Sequence, residues 1–184
     1  MMILTSQHII ITPNKVSIFG VDVSLEQSGE ALLTELYHRH IRNYPKFFKM
    51  DTLSRLGFIG TELLLNSIEK DTFDAENCAI IFGNQSSSIK NDRDYLTTIQ
   101  DEATYYPSPS LFVYTLPNIV TGEIAIRHKI YGETCFYVLE NEQQLHEIAL
   151  ATLSTTNYRS AIVGWVECTE KNNFYANIKL LWKN

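Results

Sequence analysis

Five histidines, three cysteines and 21 acidic side chains are the groups with chemistry to offer in this 184-residue chain. Cys78, Cys135 and Cys168 fall at irregular spacing. They show no metal-ligand rhythm, and three thiols cannot pair fully into intrachain disulfides. His38-Arg39-His40 sets two imidazoles two residues apart, and on a helix such residues do not share a face. They suit a helix C-terminus instead, where cationic groups favour the negative dipole end. His128 fits the same position on a later helix. His146 has no evident partner and reads as a surface residue. Gly29, Gly57 and Gly60 lack the strand-to-helix spacing and the Lys-Ser/Thr pair of a phosphate loop. The Asn84–Ser88 loop offers hydroxyls and backbone amides to an anion, but a capped strand-to-helix turn is the preferred reading. Asp92, Asp94 and Glu102 read as solvated charges. Tyr105, Tyr106 and Tyr114 suit an interface, with core packing the alternative. Nothing here calls for a metal or a cofactor.

The elements that position these groups follow from apolar periodicity. Ile3–Ile11 and Lys15–Phe19 are extended and β-branched around a turn at Thr12–Lys15; a hairpin and separate placement in a sheet are both allowed. Ser28 is the expected cap of a helix with Leu32, Leu33, Leu36 and Tyr37 on one face. Asn43–Met50 is an aromatic loop. A helix follows Asp51, with Leu53, Leu56, Ile59, Leu63 and Leu64 at helical steps and Gly57 and Gly60 allowing close packing. Cys78–Phe82 has no alternation, as expected of a strand buried on both faces in a parallel sheet. Asn91–Gln100 reads as helix and Tyr105–Pro109 as irregular. A helix is expected from near Leu116 with Pro117 in its first turn, then a strand at Cys135–Leu139 and a helix at Glu142–Leu153. Strands at Ser160–Val166 and Phe174–Trp182 complete the order. This alternation predicts one α/β domain over residues 1–184.

Composition agrees. The chain is 45% apolar and 20% charged, enough for a packed core. A formal charge of −6 argues against nucleic acid as a partner. No apolar run reaches the length of a membrane span, and Met1–Ile11 lacks a basic start and a small-residue cleavage site. A cytoplasmic location is the expectation.

Ser108–Phe112, Leu116–Ile119, Gly122–Ile126 and then Gly132 resemble the stretch before the active cysteine of β-ketoacyl-acyl-carrier-protein synthases. Asp51–Leu56, Ile80–Asn84 and Ala161–Glu167 are similar to other parts of that family, in the same order. The resemblance implies a thiolase-like, three-layer α/β/α fold. It would be one half-size domain matching the family's N-terminal half, with a mixed, mainly parallel sheet.

Two departures shape the functional expectation. Counting from Gly132 to the family's nucleophile position reaches Asn141, or Glu140 if the segment is slightly shortened; neither is a thiol, and a carboxylate or amide is a poor substitute. Cys135, on the preceding strand, is the low-ranked alternative. The second departure is length, since the family's second half supplies two catalytic histidines and a lysine. The resemblance therefore implies a non-catalytic synthase-like subunit in fatty-acid, polyketide or aryl-polyene biosynthesis. It would form a homodimer, or a heterodimer with a full-length synthase, with an acyl carrier protein as a further partner. In the family the strand matching Thr134–Val138 lies at the dimer interface. Thr134, Phe136 and Val138, with Phe112, Tyr114 and Leu116, are accordingly the interface or acyl-cavity candidates. One alternative is an acyl-thioester transferase or hydrolase using Glu140 and Glu142 as acid and base. Another is a stand-alone interaction domain.

Overall fold

Seven strands form one sheet in the order β3-β2-β1-β7-β6-β4-β5. The structure is a computed structural model that describes residues 3–69 and 73–183; Met1 and Met2, at the start of the segment read for a leader, lie outside the described residues. The strands are β1 (Ile3–Thr12), β2 (Lys15–Ile18), β3 (Val21–Asp22), β4 (Cys78–Asn84), β5 (Thr134–Val138), β6 (Ser160–Glu170) and β7 (Asn173–Lys183). Between them lie α1 (Glu30–His40), α2 (Thr52–Asn66), α3 (Ile89–Leu96), α4 (Pro109–Val113), α5 (Ile119–His128) and α6 (Glu142–Thr155). β4 pairs in parallel with both β5 and β6, whereas β6/β7, β7/β1, β1/β2 and β2/β3 are antiparallel. Five of the seven described strands thus run one way, and β2 and β7 run against them. The sheet is mixed. The N-terminal hairpin forms, and β1 also pairs along its other side with β7.

Helices cover both faces. Leu56, Ile59 and Leu64 of α2, Leu33 of α1 and Ile124 of α5 pack on Ile9, Ile80, Phe82, Ile162 and Ile178 of the sheet. On the opposite face Leu145, Ala149 and Leu153 of α6, one helical stripe, close over Ala79, Ile81, Ala161, Val163 and Leu181. Every residue of β4 is buried, which is why its sequence shows no alternation. Burying a Leu or Ile in these layers contributes about 2 kcal/mol each.

Three local expectations are corrected. Ser28 does not cap α1; the N-cap is Gly29, at φ 59°, and the N–H of Glu30 is met by Asn172 Oδ1 at 3.2 Å. That acceptor comes from the distant β6–β7 turn, so no local signal marks it. The helix expected from Leu116 starts at Ile119, leaving Pro117 outside it. Within the stretch after Tyr105, a short helix begins at Pro109, where the Ser108 hydroxyl accepts the N–H of Leu111.

Candidate functional site

The turn from β5 into α6 holds the positions read as a replaced nucleophile, and it is built as a helix cap. Asn141 is the N-cap, extended at φ −159° and ψ 164°, and its Oδ1 accepts the N–H of Gln144 at 3.1 Å. Gln144 Oε1 in turn accepts the N–H of Glu140 at 2.9 Å. The Asn141 side chain thus meets a first-turn donor of the helix, and Gln144 reaches back to the residue before the cap. An amide committed to capping, in relaxed backbone, has neither the nucleophilicity nor the presentation for acyl transfer.

The carboxylates on either side of this cap part company. Glu140 is exposed and borders a cavity of about 420 Å³ with Gln85, Val138, Leu139 and Gln144. Glu142 borders a different cavity, of about 360 Å³, with Gln143, His146 and Lys179. Its Oε1 accepts from Lys179 Nζ at 2.6 Å and from Asn177 Nδ2 at 2.8 Å. An acid–base pair acts on one substrate from within hydrogen-bond reach, and the two groups line separate cavities. His146 is half-buried rather than a free surface residue, and its Nδ1 is enclosed without a hydrogen-bond partner. Asn177 and Lys179 were not singled out from sequence. They lie two apart on β7, opposite Trp165 and Val163 of β6, and only the sheet register brings them to the start of α6.

Cys135 is half-buried on β5, with Sγ directed to the Ile80 carbonyl at 3.7 Å. Burial pushes its thiol up, so the nucleophilic thiolate is disfavoured. Burial likewise raises Cys78 to about 11 and Cys168 to about 12. Among the described residues no group of three or more His, Cys, Asp or Glu side chains could hold a metal ion. No described helix is long and apolar enough to cross a membrane.

β5 lies at the end of the sheet, with β4 on one side and no strand on the other among the described residues. Its sequence, Thr-Cys-Phe-Tyr-Val, carries no charge. Phe136 packs toward the larger core, while Thr134 and Val138 are exposed, Val138 to 58%. Phe112, on α4, is half exposed and meets the Tyr95 ring at 5.4 Å; Leu116 is also half exposed. Beside them a mainly apolar recess of about 440 Å³ is lined by Ile89, Tyr95, Leu96, Ile99 and Thr115, together with Asp92 and Arg93. Tyr114 turns inward instead. Burial, then the charges of Glu123 and Asp51, raise its phenol to about 12.

His128 does end α5, but its Nε2 lies 3.1 Å from Oε1 of the buried Glu62, which also accepts from Arg127 Nε at 2.8 Å. Arg127 stacks over the Tyr44 ring, whose hydroxyl donates to Glu123 at 3.2 Å, and Lys46 pairs with Glu123 at 2.6 Å. This network joins α2, α5 and the Asn43–Met50 segment, which itself forms a short 3₁₀ helix over Pro45–Lys49.

The strand order and the helices on both faces define a thiolase-like α/β/α fold, that of ketosynthases and chain length factors. The chain superposes on the ishigamide ketosynthase/chain length factor with a TM-score of 0.69 at 14% identity, over 98% of its own length and 62% of that chain. It matches the complex of the ketosynthase ApeO with its chain length factor ApeC from Xenorhabdus doucetiae equally well, with a TM-score of 0.69 at 13% identity. There it covers 100% of its own length and 80% of the other chain. A third match is a type II polyketide synthase acyl carrier protein in complex with its ketosynthase, at TM-score 0.69 and 13% identity, over 99% of this chain and 62% of that one. The chain therefore spans less than two thirds of two of these three relatives. No protein-family model and no curated protein matches it.

Proposed function

We propose that this chain is a non-catalytic, half-size synthase-like subunit that associates through β5, either with a second copy or with a full-length β-ketoacyl synthase. The observation that carries the reading is the uncharged strand Thr134–Val138 at the sheet edge, with its outer hydrogen-bonding groups unclaimed by any described strand. Such an edge favours strand addition unless it is covered or charged. A two-fold axis beside it joins the sheets of two subunits. The helix-cap role of Asn141 and the separation of Glu140 from Glu142 support a partner role over acyl transfer by this chain. The fold it shares with proteins of ketosynthase, chain-length-factor and carrier-protein complexes supports a place in fatty-acid, polyketide or aryl-polyene assembly. In this reading residues 1–184 act as one cytoplasmic domain, Phe112 and Leu116 extend the interface, and an acyl carrier protein is a transient partner.

Co-expression with a full-length synthase, followed by size-exclusion light scattering and native mass spectrometry, tests the proposal. A defined heterodimer or homodimer is expected. A chain that stays monomeric alone, and co-purifies with neither synthase nor carrier protein, refutes it.

A further inference from the structure

Glu167 lies on β6 just past the end of its pairing with β4, at the carboxyl end of the parallel strands and beside the loop that follows β4. Its Oε2 accepts the backbone N–H of Gln85 at 2.9 Å, and its Oε1 accepts the Ser86 hydroxyl. These donors are held in place by bonds that do not involve Glu167. Buried Asn84 accepts the N–H of Ser87 at 2.7 Å and donates to its carbonyl at 2.8 Å. Ser87 sits in the left-handed region at φ 52°. The Ser88 hydroxyl donates to the Thr115 carbonyl at 2.6 Å, anchoring the far side of the loop. One backbone N–H and one hydroxyl thus converge on a single carboxylate, the kind of concavity at a turn that binds anions.

We infer that the Asn84–Ser88 loop is a carboxylate-binding site whose resident ligand is the chain's own Glu167. The planar, two-oxygen group matches the donor pair one oxygen to each, and ionised acceptors make the stronger hydrogen bonds. Gln85 also borders the cavity of about 420 Å³ that opens beyond Leu139, so a small solute has a route to the loop. Glu140 on that cavity wall repels multiply charged anions and favours a monocarboxylate over phosphate. The inference does not depend on the subunit reading, since it concerns a site within one chain.

The test is chemical rescue. Glu167→Ala is expected to lower the unfolding temperature by about 3–6 °C. Sodium acetate should restore most of that loss saturably, while chloride and phosphate at equal ionic strength should not, and the native chain should not respond to acetate. The inference is overturned if acetate stabilises Glu167→Ala no more than chloride does, or stabilises the native chain equally. Should Glu167→Ala fail to fold, hydrogen exchange at the Gln85 amide in Glu167→Gln decides. Exchange about tenfold faster than in the native chain is expected from replacing an ionised acceptor with a neutral one, and unchanged exchange overturns the assignment.

Discussion

Lys179 reaches from β7 to the first residue of α6, its Nζ 2.6 Å from Oε1 of Glu142. The contact fastens the helix that covers the second sheet face to a strand at the centre of the sheet. A carboxylate in the first turn of α6 is already favoured by the helix dipole, and the ammonium strengthens that placement. Lys179→Met is therefore expected to cost about 1 kcal/mol, with the loss shrinking at high salt. Urea denaturation of Lys179→Met, Glu142→Gln and the double variant measures the coupling. Additive single effects would remove the pairing as a source of stability.

Gly132 has no room for a side chain. A Cβ there would press into the Cys78 carbonyl, lying 2.7 Å from its carbon. Cys78 begins β4 and Gly132 lies two residues before its parallel neighbour β5, so the contact is with backbone, which does not yield as a rotamer would. Gly132→Ala should destabilise by about 3 kcal/mol. Thermal unfolding checks this, and a change below 0.5 kcal/mol, on the order of an ordinary surface substitution, contradicts it.

Glu62 titrates below the usual carboxylate range. Burial, the largest single influence, raises it, but Arg127 and His128 together outweigh that effect. A folded pKa below the unfolded one means the stabilisation is complete above the ordinary glutamate value and is lost as pH falls through the lowered folded value. Glu62→Gln leaves Arg127 without its counter-charge and should cost about 3 kcal/mol at pH 7. Denaturation curves from pH 7 to pH 3 should show the gap between native and variant chains closing at the acid end.

Val138 is the place to separate association from stability. Being 58% exposed on the outer strand, it tolerates lysine with a stability change of about 0.5 kcal/mol or less. A charge on that edge opposes strand addition. Val138→Lys is expected to weaken any self-association or synthase binding at least about tenfold while leaving unfolding unchanged; sedimentation velocity reads the first and circular dichroism the second.

The sequence carried the layers because their signals are local. The leucines of α2, the unbroken apolar run of β4 and the Leu145–Leu153 stripe each declare an element and a buried face without reference to the rest of the chain. What escaped is non-local. Asn172 meets the first N–H of α1 from 142 positions away, and Glu167 reaches the loop after β4 from 81 and 82 positions away. The anion reading of Asn84–Ser88 identified suitable donors without any means of knowing that the chain supplies the acceptor. His146 reads as solitary because Lys179, which lines the same cavity, arrives from β7 by strand register. The start of α5 was misplaced for a different reason: Pro117 is as compatible with the turn preceding a helix as with its first turn.

Ile3 pairs with Lys183 and Ile11 with Ala176, so the first described strand is zipped against the last described one. Until β7 docks, β1 has only the short hairpin partner β2 among the described strands, and the centre of the sheet is incomplete. Closure between strands at opposite ends of the described residues makes this a late, entropically slow event.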